Sequence, residues 1–515
     1  MCKYLMNNHE GKMRKEYGMK TKAIYSLIAV IIMLFLFTIS CNLNLDYNVD
    51  KISSSEEDFL DIDRCLSNPN VSNTTIINNI LTDIERGKIH RILRYLAHDI
   101  EWVVMGEAGK TPFAGTYEKK RKVEKYLRYF YRSIRLTDLV VESITETAEN
   151  QIDSYIRLQG YIPTTRKTID IEFLYTWIFN SKHQISQVTV SCITTSLELA
   201  FTRGGKGTVI STLQASPEAI AITNSYLPLK PLVLTAPIEF IRSFFVTPND
   251  PPEGAIIESV NYGGVEGEIT RTADSRNDKI ILQMHGGAFY ASNAGRFRIF
   301  NYAIASEIKI PVLSINFRLA PENPFHEGLD DCLTVYKELL KEYDPENIIL
   351  EGESSGGNFV FALMLYAKQQ NLPLPGAGIA ISPWLDLTNS GETMVTNNDA
   401  DTCLFKDYLD RCTNWYINGY STESSSSAAA EDPLASPLFG DVTGFPPMYI
   451  TIGASEVLLS DATTMFNKLT SKGVPVTVEM SSLVHAWPTA CKGLIDSQRT
   501  IENFCNFLRD KLNIE

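Results

Sequence analysis

The sequence has few of the residues that build zinc sites, disulfide frameworks or nucleic-acid surfaces. Its 515 residues include only 7 histidines and 9 cysteines, and the cysteines are scattered, without the spacing of a metal site. Acidic residues outnumber basic ones by 61 to 47, and the formal net charge of −14 disfavours nucleic acid as a partner. With 44% hydrophobic and 21% charged residues, the composition is that of an ordinary globular protein. The length of 515 residues suggests two or three domains.

The most informative segment is a short apolar run, residues 348–350, that leads into a serine set between glycines. Gly352 and Gly356 each lie two positions from Ser354. A sharp strand-to-helix turn strains the residue at its apex and requires small residues on either side, so that strand and helix can pass closely. The pattern predicts a strand, an exposed Ser354 hydroxyl and a buried helix over residues 356–368. Taken alone, it fits a plain glycine-serine turn equally well.

A second glycine turn favours the functional interpretation. Residues 279–284 read as a buried strand that runs into His285, Gly286 and Gly287. Acyl transfer needs hydrogen-bond donors for the negative charge of its tetrahedral intermediate, and paired glycines let backbone N–H groups face inward. We therefore predict an oxyanion hole made by the N–H groups of Gly286, Gly287 and Ser355.

A serine nucleophile also needs a base and an acid that orients the base. His485 is the only histidine downstream of Ser354, and it follows a strand-like segment at residues 476–480. In the chain order serine, acid, histidine, the acid should follow the preceding strand, residues 448–452. Glu456 comes soon after that strand and is the predicted acid. Asp461 stays open as the alternative, although its position suits a carboxylate at a helix start.

Four motifs together resemble the hormone-sensitive-lipase family of α/β-hydrolases; they lie at residues 285–289, 317–325, 352–358 and 382–388. The resemblance covers roughly residues 216–515. It implies an α/β-hydrolase fold, with a mostly parallel sheet and a helical cap from residues 211–245 and 387–431. It also implies a serine carboxylesterase for short- or medium-chain esters, with no metal or organic cofactor.

Carried over residue by residue, the resemblance makes Ser354 the nucleophile, His485 the base and Glu456 the acid. The chain departs from the family pattern at Glu456, where aspartate is usual, and at Ala288, where a third glycine is usual. The alternative function is a catalytically weak ligand-binding protein on a hydrolase scaffold.

The N-terminus carries a targeting pattern. Lys20 and Lys22 precede an uncharged run over residues 23–40, which ends at Cys41. Residues 38–41 resemble a bacterial lipobox, which implies lipid attachment to Cys41 and an exported protein anchored to a membrane. An uncleaved apolar anchor is the alternative, because the run is long enough to span a bilayer. We place residues 1–41 in this signal and anchor segment, with Met19 as the favoured start of translation.

The export pattern bears on the remaining cysteines. Without Cys2 and Cys41 their number is odd, which favours free thiols, and a disulfide between Cys403 and Cys412 stays open.

A separate block precedes the hydrolase region. Residues 42–73 are polar and read as a tether, and residues 74–203 read as a small α+β domain. We predict helices at 74–95 and 119–134 and strands at 100–104, 140–146, 154–161, 168–180 and 185–197. Residues 204–227 are predicted to be a linker and the start of the cap, and residues 228–515 the hydrolase domain.

Segments 96–102, 112–117 and 175–179 of this block resemble the NTF2-like, or SnoaL-like, family. That resemblance implies a cone-shaped domain with an apolar pocket. It also implies that two copies of the chain can form a homodimer through this domain. His98, Asp99 and Trp102 have two interpretations. They line the pocket, or they form a fold-determining turn and a core tryptophan.

Overall fold

The computed structural model describes residues 71–421 and 427–514, which belong to one compact unit. The predicted signal and anchor at residues 1–41, with Cys41, lies outside the described residues, as does almost all of the predicted tether at 42–73. Within the described ranges, no helix is both long and apolar enough to cross a membrane. All six described cysteines are free thiols, including Cys403 and Cys412.

The N-terminal block begins with helices and continues into a sheet. Its strands are ordered β3-β4-β5-β6-β1-β2, and only the β1–β6 pair is parallel. The elements are α1 (Asn73–Glu85), α2 (Ile89–Tyr95), β1 (Leu96–Val104), β2 (Gly115–Glu118), α3 (Lys119–Ser133), β3 (Arg135–Ala148), β4 (Gln151–Ile162), β5 (Lys167–Phe179), β6 (Ile185–Ser191) and α4 (Thr194–Phe201). This is the helices-first α+β arrangement that the sequence predicts.

Two boundaries in this block differ from the predictions. The predicted helix at 74–95 is two helices, because Gly87 takes a positive φ of 63° between them. The predicted strand at 185–197 stops at Ser191, and the chain then turns into α4. That helix buries Leu197 and Leu199, so tertiary packing overrides the strand-like sequence of the segment.

The remaining elements surround a largely parallel sheet. They are β7 (Gly207–Thr212), α5 (Pro217–Ser225), α6 (Lys230–Thr235), α7 (Ile238–Ser243), β8 (Ile256–Tyr262), β9 (Val265–Arg271), β10 (Ile280–Met284), α8 (Arg298–Ile308), β11 (Val312–Ile315), α9 (Glu327–Leu339), β12 (Ile348–Glu353), α10 (Ser355–Gln369), β13 (Ala377–Ile381), α11 (Thr393–Thr396), α12 (Lys406–Asn418), α13 (Ser427–Ala430), β14 (Met448–Gly453), α14 (Leu459–Ser471), β15 (Val476–Ser481), α15 (Trp487–Ala490) and α16 (Ile495–Leu512). The strand order is β7-β15-β14-β13-β12-β10-β11-β9-β8, in which β9 runs antiparallel to both of its neighbours.

Strand β7 joins the two parts of the molecule into one sheet. It pairs in parallel with β5 of the N-terminal block on one side and with β15 on the other. Beyond its end, the buried Glu172 of β5 accepts hydrogen bonds from the N–H groups of Leu213 and Gln214, both at 2.6 Å. The predicted linker at 204–227 therefore needs a correction: its first half is a central strand of a 15-stranded sheet, and α5 follows.

The sheet also determines where functional groups can meet. Strands β10, β12, β13, β14 and β15 are all parallel, so their carboxyl ends lie at one edge of the sheet. Ligand sites of open α/β sheets lie at that edge. Four of the turns that leave it, after β10, β12, β14 and β15, carry the site residues predicted from the sequence.

Candidate active site

Ser354 lies at the apex of a strained turn between β12 and α10. Its backbone has φ 57° and ψ −117°, a conformation that non-glycine residues rarely adopt. The N–H of Ser354 donates to the carbonyl of Ile381 at 2.8 Å, which fixes the turn against β13. Both flanking glycines are required, because a Cβ on Gly352 would lie 2.2 Å from the carbonyl oxygen of Gly356, and one on Gly356 would lie 1.9 Å from that of Met284.

The structure brings Glu456 and His485 together. Nδ1 of His485 lies 2.6 Å from Oε2 of Glu456, and both residues are buried. The other carboxylate oxygen, Oε1, accepts hydrogen bonds from the Ser382 hydroxyl at 2.7 Å and from the N–H of Gly453 at 2.5 Å. These bonds hold the carboxylate in the orientation that positions the imidazole.

Asp461 has a different role. Its Oδ2 accepts hydrogen bonds from the N–H groups of Leu385 and Asp386, at 2.8 and 2.9 Å. Burial, together with the charge of Asp386, raises the pKa of Asp461 to about 8. Asp461 therefore fastens the 382–388 loop, and Glu456 is the carboxylate in contact with the histidine.

The surroundings of His485 favour its protonated form. Burial alone would lower the pKa of the imidazole, but the charge and hydrogen bond of Glu456 act in the opposite direction. The carboxylates of Glu353 and Asp401 add to this effect, and the pKa of His485 is raised overall. The imidazole is therefore set up to hold a second proton.

The residues of the predicted oxyanion hole pack closely around the Ser354 turn. A Cβ on Gly286 would lie 2.2 Å from Oε2 of Glu353, the residue that precedes Ser354. Gly287 has φ 112°, and a Cβ there would lie 2.2 Å from the carbonyl oxygen of Ala291. Within the described residues, the N–H groups of Gly287 and Ala288 donate to no other group. Ser355 opens α10, and its hydroxyl accepts the N–H of Phe289 at 3.1 Å.

Two residues that the sequence did not point to support the loop that carries Glu456, called the acid loop below. Ser382 bridges Glu456 and the N–H of Ala486, the residue after the histidine. Asp401 of the cap accepts the N–H of Val457 at 2.9 Å, beside Glu456. Ser382 lies inside a recognised motif that could have drawn attention to it, whereas nothing in the sequence around Asp401 points to the site.

A small cavity borders this pair from the cap side. Its volume is about 100 Å³, and its lining includes Thr223, Asp401, Glu456 and His485. Segments of both predicted cap regions therefore reach the acid loop and the loop that carries His485, called the histidine loop below.

The residues singled out in the N-terminal block do not form a comparable site. His98 and Asp99 are exposed, whereas Trp102 is fully buried. The Trp102 ring packs against those of Tyr126 and Trp177, with centroids 5.8 and 6.0 Å apart. The structure favours the interpretation of Trp102 as a core residue and places neither His98 nor Asp99 in a buried pocket.

Comparisons with known proteins agree with this geometry. Residues 281–489 match a family described as having the alpha/beta hydrolase fold. The chain is 31% identical to an esterase of Acinetobacter venetianus over 283 residues, which cover 53% of this chain and 89% of the relative. It is also 31% identical to an acetyl-hydrolase of Streptomyces hygroscopicus over 252 residues, which cover 48% of this chain and 81% of the relative.

A solved structure gives the same result. The chain is similar to an esterase of the bacterial hormone-sensitive lipase family, with a TM-score of 0.51 and 27% sequence identity. The match covers 58% of this chain and the whole of that structure. The chain therefore belongs to the hormone-sensitive-lipase family of α/β-hydrolases and is a carboxylic ester hydrolase.

Proposed function

We propose that this protein is a serine esterase that hydrolyses short- or medium-chain esters through an acyl-enzyme. The observation that carries the proposal is the strained Ser354 turn at the sheet edge that also bears the hydrogen-bonded pair of Glu456 and His485. A nucleophile, a base and an orienting acid are the parts that covalent acyl transfer requires.

The proposed reaction has two halves. In the first, the Ser354 hydroxyl attacks the ester carbonyl while His485 accepts its proton, and the charge of Glu456 stabilises the imidazolium. The backbone N–H groups of the turn at residues 286–288 and of Ser355 stabilise the oxyanion. His485 then protonates the departing alcohol. In the second half, His485 takes a proton from a water molecule that attacks the acyl-enzyme, and it gives this proton to the Ser354 oxygen as the carboxylic acid leaves.

The preference for short or medium acyl chains rests on the enclosed site. Ser354 is 7% exposed and His485 8% exposed, so a substrate must fit beneath the cap. Tyr290, which follows the 285–289 motif, contacts the cap: its hydroxyl and that of Tyr408 are joined by a 2.7 Å hydrogen bond, and the Trp415 ring packs against it. The similarity to an acetyl-hydrolase supports the short end of this range.

We also propose an NTF2-like identity for the N-terminal block and an exported protein anchored through Cys41. The helix and strand order of the block supports the first proposal, and the pattern at residues 38–41 supports the second. Radiolabelled fatty acid incorporated by the full chain, and lost in Cys41→Ala, would test the anchor.

The test of the catalytic proposal uses p-nitrophenyl esters of graded chain length. We expect the full chain to hydrolyse acetate to octanoate esters, and Ser354→Ala to lose about 10⁴-fold or more in kcat. Ser355→Ala is the matched control, because it keeps the backbone N–H and removes only a neighbouring hydroxyl. Equal rates for the wild type and Ser354→Ala would contradict the proposal.

A further inference from the structure

Two cations that the proposed mechanism does not use lie beside the active-site loops. Arg296 belongs to the loop that follows the oxyanion segment, and Lys492 follows α15, just beyond the histidine loop. Both side chains are half-buried. Within the described residues, neither has a carboxylate oxygen within 4.0 Å, whereas the half-buried Arg157 and Arg298 are both paired.

Most of their hydrogen-bonding capacity is unused. The Arg296 guanidinium donates to one described group, the carbonyl of Phe244 at 2.8 Å, and lies over the Phe245 ring. A guanidinium has five N–H donors. Lys492 donates to Oδ1 of Asn249 at 2.9 Å. By contrast Arg411, which also lacks a carboxylate, donates to three carbonyl oxygens.

Asn249 links Lys492 to the backbone of Arg296 and so joins the two residues in one cluster. Its side-chain oxygen accepts from Lys492, and its side-chain nitrogen donates to the Arg296 carbonyl. Burial and the charge of Arg296 lower the pKa of Lys492 to about 8, as expected for like charges held together. Such an arrangement is unfavourable unless an anion offsets it.

Glu353 links this cluster to the catalytic centre. It directly precedes Ser354, and its carboxylate interacts electrostatically with both Arg296 and His485. Among the described residues, Glu353 is the one carboxylate whose charge acts on Arg296, and none acts on Lys492, so the cluster itself carries an excess of positive charge.

We propose that Arg296 and Lys492 form a subsite for a carboxylate carried by the ester substrate. The inference rests on the proposed esterase function and narrows its substrate class to esters that bear an acidic group. Arg296 would bind the carboxylate through its unused N–H groups, and Lys492 would supply the second charge.

The kinetic test compares esters matched except for charge. Mono-p-nitrophenyl glutarate is p-nitrophenyl butyrate with a terminal carboxylate on the acyl chain, and 4-carboxyphenyl butyrate is phenyl butyrate with a carboxylate on the alcohol. For one of these pairs we expect the wild-type kcat/KM ratio, charged over neutral, to exceed one. It should fall about tenfold in Arg296→Gln and in Lys492→Gln. Arg276→Gln, at a half-buried arginine paired with Asp278, and Lys511→Gln, at an exposed lysine, are matched controls and should leave the ratio unchanged.

A binding test separates this inference from the catalytic proposal. Glutarate and benzoate are added to the Ser354→Ala protein, and the melting temperature is measured. We expect one of them to stabilise this protein, and the stabilisation to disappear when Arg296→Gln is added. A charged-over-neutral ratio that is unchanged in both variants, or no stabilisation by either acid, would overturn the subsite. If no ester is hydrolysed in a Ser354-dependent manner, the catalytic proposal fails, and the binding test still decides the subsite.

Discussion

Both halves of the shared sheet bury aromatic rings, but buried carboxylates are concentrated in the hydrolase half. The interior of the N-terminal block is aromatic, with Trp102, Tyr175 and Trp177 packed edge to face or stacked. The hydrolase half buries carboxylates near its strand ends, among them Glu456 and Asp461. A buried carboxylate is unfavourable unless it is hydrogen-bonded or needed for function, whereas a packed aromatic ring is favourable in itself. This difference indicates that the hydrolase half carries the catalytic groups. The described core of the N-terminal block serves packing.

The largest effect expected from this comparison is at the acid of the hydrolase half. Glu456→Gln removes the charge that orients His485 and stabilises its protonated form, so we expect kcat to fall about 10³- to 10⁴-fold. Asp461→Asn is the control, because its carboxylate binds backbone N–H groups of another loop. We expect it to lose less than about tenfold in kcat. Steady-state kinetics on p-nitrophenyl butyrate measure kcat for both variants. A larger loss of kcat in Asp461→Asn than in Glu456→Gln would show that Asp461 is the acid.

The next effect is on stability and falls in the N-terminal half. Trp102→Ala leaves a cavity among packed rings and should lower the free energy of unfolding by about 3–5 kcal/mol. Met105→Ala, at a 49% exposed position one residue beyond the same strand, should change it by less than about 0.5 kcal/mol. Urea unfolding followed by circular dichroism measures both. If the Trp102→Ala protein keeps its stability but loses kcat per folded molecule, the division between a packing half and a chemical half is wrong.

The fold is predictable from sequence where local pattern determines it. Buried strands such as β10, β12 and β14 are mostly apolar segments with a glycine at or near the carboxyl end. The joining strand β7 is not predictable in this way, because it is short and follows a glycine-rich segment. Its strand conformation depends on two partners, β5 and β15, which are distant in sequence. The same dependence on tertiary contacts explains why residues 194–197 form a helix.

The site divides along similar lines. Ser354, Glu456 and His485 are predictable because each follows its own strand in a fixed order. The close approach of Gly286 to Glu353 is not predictable in this way, because it depends on how two loops meet at the sheet edge. Asp401 comes from the cap, so its contact with the acid loop can be seen only in three dimensions.

A subtler effect concerns pH. His485 accepts a proton only when neutral, so kcat/KM should rise with pH through its pKa in the free enzyme. Asp401 is one of the carboxylates that raise this pKa. Asp401→Asn removes that charge, lowers the pKa and should move the rising limb to lower pH by a few tenths of a unit. If the rising limb of the kcat/KM profile stays at the same pH and only kcat falls, Asp401 acts only by holding the acid loop.

The smallest effect is expected at the exposed residues of the N-terminal half. His98 and Asp99 lie on β1 but face solvent, and they have no place in the buried aromatic core. The double substitution His98→Ala with Asp99→Ala should therefore change the free energy of unfolding by less than about 0.5 kcal/mol and leave kcat/KM for neutral esters within about twofold. Trp102→Ala is the matched contrast on the same strand. A large loss of activity from the double substitution, with stability intact, would give the N-terminal half a functional site, because exposed side chains matter only through what they contact.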